Sequence, residues 1–329
     1  MYGALGSPYS MKMRALLRYR RLPHIWAHGK SAAAARKQVK VPVIPILEMP
    51  DGTFRNDSTP LIYELEAIHQ ARSVVPVDPA AAFLAHLLED FADEWMTKAM
   101  FAYRWLDPVG SVQVSRWLSF DALEGGGLQQ SQAHAEAFRK RQVDRIGLVG
   151  CTPGNFALIE ATTRGVLAAL EAHVVDGTCF FGDRPSLAEF ALFGQISQLG
   201  TDPASQKMMQ GDYPYTYRWL LHMDDMSGCE GDWHGPADFT PQVVERLLAI
   251  VGEVYLPFLV SNSRAILAGS EELSLSAMGC TYTQPVFRYQ MKCLAEIRRH
   301  YAKIPASEKA TLTELLQRTG CLDYVQEAA

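Results

Sequence analysis

Apolar residues follow two different patterns along the 329-residue chain, and the pattern changes near residue 80. The first part predicts four short strands and two helices in the order βαβ followed by ββα, which is typical of a small α/β domain. The predicted strands are residues 2–5, 23–27, 44–48 and the run after Asp51-Gly52, and the predicted helices are 9–21 and 61–70. Residues 71–80 lose this periodicity and contain two prolines, which favours a linker.

Beyond the linker, apolar residues recur at spacings of three and four, which predicts a helical structure. The clearest run is Phe83, Leu84, Leu87, Leu88, Phe91, Trp95 and Ala99. Further helical patterns lie at 129–147, 154–174, from Ser186, near Pro214, and near 241–260, 284–302 and 307–318. Pro257 is expected to end or kink its helix near Leu256. We therefore expect an α/β domain at 1–72, an all-helical domain at 80–227, and a helical extension at 228–329 packed on the second domain.

Composition and charge narrow the possible partners. Apolar residues make up 48% of the chain, charged residues 20%, and the net charge is −5. No run of Lys or Arg marks a nucleic-acid or membrane surface, and no apolar stretch approaches ~20 residues, so neither partner is expected. The first ten residues lack the basic and apolar regions of a secretion signal.

The six cysteines are scattered, without a CxxC pair and without nearby histidines. They are Cys151, Cys179, Cys229, Cys280, Cys293 and Cys321. This spacing is untypical of a zinc site or a disulfide framework, so we expect no metal, reduced thiols and a cytoplasmic protein.

Three segments, in this order and spacing, resemble cytosolic glutathione transferases. They are GSPYSMKMR at 6–14, VIPIL at 43–47 with Asp57-Ser58 after it, and FGDRPSLAEF at 181–190. The first matches the Ser-Pro-Phe/Tyr motif of the serine-type classes. The resemblance covers about residues 1–226. It implies a thioredoxin-like N-terminal domain that binds glutathione and a helical domain that shapes the pocket of the second substrate, with 228–329 as an addition.

The resemblance implies that Ser7 is the catalytic residue. A free thiol with a pKa near ~8.5 is only slightly ionised at neutral pH, and lowering that pKa by one unit requires ~1.4 kcal/mol. A hydroxyl donor at a helix N-terminus can stabilise the thiolate. Ser10, at the last position of the same motif, is the alternative donor, and Tyr9 is expected to form a wall of the pocket. A serine at this position can also be a plain helix cap.

The second segment is expected to hold the glutathione peptide. The family pattern fits Ile44-Pro45-Ile46-Leu47-Glu48 and implies a cis bond before Pro45, although Pro42 also precedes the strand and an ordinary trans proline is the alternative. The backbone of Ile44 would then pair with the cysteinyl part of glutathione. Asp57 and Ser58 are expected to bind the amino and carboxylate groups of the γ-glutamyl part at the start of a helix. Many relatives have Glu or Gln at the position of Asp57.

The remaining candidates lie in the helical domain. Trp95, Phe101 and Arg104 fall on its first long helical stretch, where the family lines its pocket, and Arg104 is the expected polar contact. The alternative is that most of these side chains belong to the core. Ser186 and Glu189 form an S-x-x-E capping box with a structural role.

The sequence therefore favours a glutathione transferase in a detoxification role, in which the glutathione thiolate attacks an apolar electrophile by substitution or addition, with an ether or halide as a possible leaving group. Glutathione would be a co-substrate, and the family implies a homodimer. A motif without Cys at 7–10 argues against disulfide exchange. The alternative is that the chain is a non-catalytic binding or scaffold protein of the same fold. The 100-residue extension is the main reason to retain this alternative.

Overall fold

The first segment forms a small sheet flanked by helices. The computed structural model describes residues 1–177, 179–235 and 242–327. Tyr2 forms a parallel bridge to Ala27 and an antiparallel bridge to Ile46, and Ile46 pairs antiparallel with Asn56. The order across the sheet is therefore Ala27, Tyr2, Ile46 and Asn56, which is a thioredoxin-like arrangement. The predicted strands at 2–5 and 23–27 are reduced to these single bridges.

The elements before residue 80 are α1 (Pro8–Tyr19), α2 (Gly29–Ala35), a 3-10 turn (Arg36–Gln38), β1 (Ile46–Glu48), β2 (Phe54–Asn56) and α3 (Ser58–Ile68). The next part contains α4 (Pro79–Phe91), a π-helical turn (Ala92–Met96), α5 (Thr97–Leu106), α6 (Pro108–Leu123), α7 (Gly127–Val143), α8 (Phe156–His173), α9 (Leu187–Thr201), α10 (Pro203–Asp212) and α11 (Pro214–Met223). The last part contains α12 (Gln242–Ile250), a second π-helical turn (Val251–Tyr255), α13 (Leu256–Leu267), β3 (Glu272–Ala277), β4 (Cys280–Pro285), α14 (Arg288–Ala302), α15 (Ala306–Arg318) and α16 (Leu322–Gln326). The chain is thus mainly helical beyond residue 80, as predicted.

Two compact units make up the chain. Unit 1 comprises Met1–Val74, Tyr103–Asp144 and Phe190–Cys229, and unit 2 comprises Val75–Ala102, Arg145–Glu189 and Glu230–Ala329. Compactness alone does not decide which segments fold independently, so the domains 1–72, 80–227 and 228–329 stay a prediction. The last of them includes residues 236–241 and 328–329, which lie outside the described residues.

In unit 1, α1 packs closely against α9. Apolar residues on the inner face of α1, such as Met13 and Leu16, are fully buried. Gly194 of α9 faces the start of α1, and a Cβ at this position would lie 2.6 Å from the carbonyl oxygen of Pro8. Only a glycine fits this crossing, which places the middle of α9 directly against the first turn of α1.

In unit 2, aromatic residues from the last third of the chain complete the core. The ring of Phe91 packs edge-on against Tyr255 at 5.6 Å, and Trp95 lies 5.2 Å from Phe258 and 5.4 Å from Tyr282. These distances are typical of stabilising aromatic pairs. Residues beyond 241 are therefore part of the hydrophobic core of unit 2.

A β-hairpin lies within the region for which we predicted only helices. Strands β3 and β4 pair antiparallel from Glu272↔Pro285 to Ala277↔Cys280. The turn residues Met278 and Gly279 both have positive φ, 48° and 71°, which is the geometry of a tight hairpin turn. The buried side of β3 alternates strictly, so the signal of period two was present in the sequence.

Two local predictions about helices are confirmed. The π-helical turn Val251–Tyr255 directly precedes α13, whose second residue is Pro257, so the helix is irregular where the proline removes a backbone donor. At the start of α9, the Glu189 carboxylate accepts hydrogen bonds from the backbone N–H of Ser186 at 3.1 Å and of Phe180 at 2.6 Å. Burial raises the pKa of Glu189 to about 7. The capping box at Ser186 is therefore structural.

Candidate functional site

Ser7 is the N-cap of α1. Its Oγ accepts a hydrogen bond from the backbone N–H of Ser10 at 3.3 Å, and Pro8 follows at the first helical position. The side chain is half-buried, and within the described part of the chain no acceptor takes its hydroxyl hydrogen. The hydroxyl can therefore donate to a group placed at the positive end of α1 while its oxygen caps the helix.

The other two residues of this motif differ in exposure. Ser10 is fully buried, and its Oγ has no hydrogen-bond partner in the described structure. Tyr9 is half-buried. Of the two serines, only Ser7 has a hydroxyl that a bound molecule can reach without a rearrangement of α1.

The bond between Ile44 and Pro45 is cis, as predicted. Ile44 is half-buried, and neither its N–H nor its carbonyl forms a hydrogen bond with the residues that the structure describes. The preceding loop is tied to β2, because the Asn56 side chain donates to the carbonyl of Val41 at 2.7 Å and of Val43 at 3.3 Å. Ile44 thus offers its backbone N–H and carbonyl to a bound molecule from a braced loop.

Asp57 caps α3 in an unusual backbone conformation. Its φ and ψ are 78° and 112°, a region that non-glycine residues rarely adopt and that costs of the order of 1–3 kcal/mol. Ser58 is the first residue of α3 and is 5% exposed. Such a conformation persists only where the surrounding structure imposes it, and it marks this helix start as a candidate binding point.

The register of the sheet brings these three segments together. Because Tyr2 pairs antiparallel with Ile46, the residues after Tyr2 approach the residues before Ile46. Because Ile46 pairs antiparallel with Asn56, the residues after Asn56 lie at that same end. Three segments therefore lie at the same end of the sheet: the loop before Ser7, the backbone of Ile44 and the start of α3.

A cavity of about 590 Å³ in unit 1 adjoins the loop before Ser7. Its walls are mostly apolar, with a polar end formed by Arg104, Gln198 and Asp202. The lining residues are Leu5, Gly6, Met11, Arg104, Val114, Trp117, Leu118, Phe120, Asp121, Ser197, Gln198, Thr201, Asp202 and Gln206. An apolar cavity of this size with a few polar groups suits a small organic molecule.

Arg104 connects the polar end of the cavity to the loop before Ser7. Its Nε lies 2.6 Å from Oδ2 of Asp202, and its guanidinium donates to the carbonyl of Gly6 at 2.9 Å and to the Gln198 side chain at 2.6 Å. The amide of Gln198 donates in turn to the carbonyl of Leu5 at 3.2 Å. Burial raises the pKa of Asp202, and the charge of Arg104 opposes this shift. The buried pair thus fixes the backbone that leads into Ser7.

Only part of the predicted set of pocket residues lines this cavity. Arg104 lines the cavity, whereas Tyr9, Ser10 and Phe101 are not among its lining residues. Trp95 belongs to unit 2, is 1% exposed and packs on other aromatic rings, so this packing supports the alternative that it is a core residue.

The sequence analysis missed the cavity residues of α6, above all Trp117 and Asp121, and the Asp202 that pairs with Arg104. No motif marks them. The feature that marks them is structural, because Trp117 and Phe120 of α6 remain 49% and 74% exposed, and the sequence alone does not reveal exposure.

Two kinds of feature are not found among the described residues. No group of three or more His, Cys, Asp or Glu side chains has an arrangement that could hold a metal ion there. None of the described helices combines the length and the apolar character that crossing a membrane requires.

Comparison with known proteins gives one family and three matching chains among solved structures, two of which are described. Residues 1–73 match the family described as glutathione S-transferase, N-terminal domain. A glutathione S-transferase from Methylobacterium radiotolerans, solved with glutathione sulfonate, is 18% identical, with 73% of this chain and 93% of that chain covered and a TM-score of 0.40. A glutathione transferase family member from Pseudomonas fluorescens with bound glutathione is 17% identical, with coverage of 70% and 97% and a TM-score of 0.37. No curated protein matches the chain.

Proposed function

Because residues 1–73 match the family described as glutathione S-transferase, N-terminal domain, we propose that this chain is a glutathione transferase that joins the glutathione sulfur to an apolar electrophile. The observation that carries the proposal is that three segments of the predicted site meet at one end of the sheet. The register brings the loop before Ser7, the backbone of Ile44 and the start of α3 to one end of the sheet, and the half-buried Ser7 hydroxyl follows that loop at the N-terminus of α1.

Ser7 has the catalytic role in this proposal. Its hydroxyl donates to the sulfur of bound glutathione, and the N-terminus of α1 adds a favourable field, so the thiol pKa falls and the nucleophilic thiolate becomes populated. The burial of Ser10 and the unused hydroxyl hydrogen of Ser7 support this choice between the two serines.

Ile44, Pro45, Asp57 and Ser58 bind the peptide of glutathione. The N–H and carbonyl of Ile44 pair with the cysteinyl residue in the manner of an added strand, and cis-Pro45 sets the direction of that edge. The Ser58 hydroxyl and the N–H groups at the start of α3 bind the γ-glutamyl carboxylate, while Asp57 faces the amino group. The positive φ of Asp57 supports a binding role for this helix start.

The second substrate occupies the cavity next to Leu5 and Gly6. Its apolar walls favour an uncharged organic electrophile, and the charge of Arg104 is already neutralised by Asp202. The reaction is a substitution or an addition, with a halide or an ether oxygen as the leaving group in the substitution. Holding the thiolate and the electrophile together accounts for much of the rate.

A cytoplasmic location and a role in detoxification belong to the same proposal. All six cysteines are free thiols, which is compatible with a reducing compartment where glutathione itself stays reduced.

Replacing Ser7 by Ala tests this proposal. Glutathione binding, measured by calorimetry, should remain nearly unchanged, because Ile44 and α3 hold most of the peptide. The conjugation rate should fall about ten- to hundredfold, and its pH profile should move to higher pH, because one hydrogen bond to the thiolate is lost. Ser10→Ala is the matched control and should keep the wild-type rate.

Ser7→Cys gives an independent readout. A thiol at a helix N-terminus has a lowered pKa and is itself a nucleophile, so oxidised glutathione should convert it to a mixed disulfide, visible as added mass. A Ser7→Ala enzyme with full rate and an unchanged pH profile would show that Ser7 is only a helix cap. Wild-type protein that neither binds glutathione nor conjugates generic electrophiles would contradict the transferase and favour a scaffold protein.

A further inference from the structure

The hairpin of β3 and β4 has two edges, and most of the β4 edge is closed. The side-chain nitrogen of Asn155 donates to the carbonyl of Thr283 at 2.6 Å, and its side-chain oxygen accepts from the N–H of the same residue at 3.1 Å. Because backbone groups alternate in direction along a strand, Thr281 and Pro285 also face away from β3, and Pro285 has no N–H to donate. Of these outward positions of β4, only Thr281 keeps both backbone groups for a neighbouring strand.

The edge of β3 is open. Ser274 lies opposite Thr283, so its backbone faces away from β4 in the same way, as do Glu272 and Ser276 on either side. The N–H and carbonyl groups of these three residues form no hydrogen bond with any residue that the structure describes. Their side chains are exposed, whereas the alternate residues of β3 are buried. A row of backbone donors and acceptors is therefore accessible along β3.

This edge lacks the features that usually keep a strand edge from pairing. Such edges are commonly protected by proline, lysine or a β-bulge. The sequence of β3, ELSLSA, contains neither proline nor lysine, and the strand pairs with β4 without a bulge from Glu272 to Ala277. The contrast with β4 indicates that the hairpin can take up a further strand on one side only.

We propose that β3 is the contact surface for a second copy of this chain, whose own β3 lies antiparallel to it across a two-fold axis at Ser274. The two hairpins then form one four-stranded sheet. The surface lies in the last hundred residues, outside the segments that resemble glutathione transferases, so this pairing is independent of the proposed transferase activity.

The backbone of β3 is complementary to itself in one register. With Ser274 opposite Ser274 of the second copy, Glu272 lies opposite Ser276 of the second copy, and the reverse pair forms at the other end. Each of these three pairs exchanges two N–H to carbonyl hydrogen bonds, which gives six in all. A shift of two residues in either direction leaves only two such pairs. The two-fold register therefore uses every outward group of the strand.

The exposed side chains fit the same register. The carboxylate of Glu272 is an acceptor and lies opposite a serine hydroxyl, which is a donor. The two copies of Glu272 are four residues apart along the pair, about 13 Å, so the like charges are largely screened from each other. A foreign strand is usually selected by pockets for its side chains, and the short serines of β3 build no such pocket. These features favour a second copy as the occupant.

Cross-linking tests the register directly. Opposite residues of a hydrogen-bonded antiparallel pair have Cα atoms about 5.5 Å apart, a distance that a disulfide spans. Mild oxidation of Ser274→Cys at micromolar concentration should give a covalent dimer on a non-reducing gel. Ser276→Cys is the matched control, because its own copy lies about 13 Å away in this register, and it should stay at the wild-type level of cross-linking.

Ser274→Pro tests the contact without a new bond. Proline removes the outward N–H at the axis in both copies, while the hydrogen bonds between β3 and β4 do not use that group. Pro285 shows that this hairpin accepts a proline at an outward position. Light scattering at a fixed micromolar concentration should show about half the wild-type mass. Ser274→Ala, which keeps the N–H, and Thr281→Pro, on the other edge, should keep the wild-type mass.

Three results would overturn the proposal. They are a folded Ser274→Pro protein with the wild-type mass, equal cross-linking of Ser274→Cys and Ser276→Cys, and wild-type protein with the mass of one chain. The last result would leave the edge to a strand of another protein. Thermal melting shows whether Ser274→Pro is folded, and if it is not, the cross-linking comparison decides alone.

Discussion

The Arg104–Asp202 pair shows how a single buried residue can position another. Both side chains are 4% exposed, and the guanidinium donates two further hydrogen bonds, to the carbonyl of Gly6 and to the side chain of Gln198. A buried pair of this kind contributes little net stability compared with apolar residues of the same size, but loss of one partner leaves an uncompensated charge. Its contribution here is the geometry of the backbone before Ser7.

We therefore expect Arg104→Met to lower the free energy of unfolding by about 3–5 kcal/mol, because Asp202 would remain buried without its partner. The double variant Arg104→Met, Asp202→Leu should recover much of this loss while conjugation stays impaired. Thermal melting and the KM for glutathione measure the two effects. Lys140→Met removes an exposed pair, in which the side chains are 76% and 59% exposed, and should cost less than about 1 kcal/mol. A stable Arg104→Met protein with normal kinetics would contradict the positioning role.

Helices α4 and α14 of unit 2 meet through a pair of histidines. The rings of His86 and His300 are stacked, with centroids 3.9 Å apart and an angle of 19° between the planes. Burial, followed by the proximity of His86 and Arg299, lowers the pKa of His300 to about 4. The folded protein therefore holds a neutral imidazole where the unfolded chain, with a pKa near ~6.5, accepts a proton.

This pKa shift predicts a loss of stability in acid. Because the folded pKa is depressed, the contribution of His300 is fully present above about pH 6.5 and is lost as the pH falls toward 4. The stability difference between wild type and His300→Gln should fall by about 1–2 kcal/mol between pH 7 and pH 5, after allowance for partial exposure. Melting temperatures at the two pH values provide the measurement.

The comparison with the variant matters because other groups titrate in the same range. Burial raises the pKa of Asp90 and of Glu189 to about 7, which favours the folded state at lower pH. These contributions are common to wild type and variant and cancel in the difference. The exposed His222→Gln substitution is the control, and a difference for His300→Gln that does not change with pH would contradict the prediction.

At the scale of the whole molecule, each compact unit is assembled from distant parts of the chain. Unit 1 combines the sheet with α6, α7, α10 and α11, and unit 2 combines α4 and α8 with the residues from 242 to 327. The aromatic contacts of Phe91 and Trp95 lie within unit 2, so the last hundred residues contribute core side chains and not only surface.

The resemblance to cytosolic glutathione transferases also predicts a homodimer with two-fold symmetry. Light scattering at micromolar concentration should give the mass of two chains over a range of dilutions. A mass of one chain throughout would contradict the prediction. The next test would then be whether the last hundred residues cover the surface through which the family forms dimers.

Local features could be predicted from the sequence because they depend on residues close together in the chain. Ser7 caps α1 through a bond to Ser10, and the box at Ser186 closes on Glu189, so each signal spans three residues. The cis bond before Pro45 was implied by the family pattern that Ile44-Pro45-Ile46-Leu47-Glu48 fits. The hairpin of β3 and β4 also carried a local signal, which the search for helical spacing overlooked.

The cavity and its polar end could not be predicted in this way, because their parts meet only after folding. Arg104 contacts residues about 98 positions away in both directions, at Gly6 and Asp202, and no spacing rule connects them. The burial of Ser10, the core position of Trp95 and the placement of Asp121 in the cavity wall likewise depend on which helix faces which. The sequence by itself determined the helix starts at Ser7 and Ser186, since these rest on short-range bonds. Its family resemblance supplied the cis proline and agrees with the match of residues 1–73. Only the tertiary structure decided which side chains surround Ser7, because packing, and not propensity, selects them.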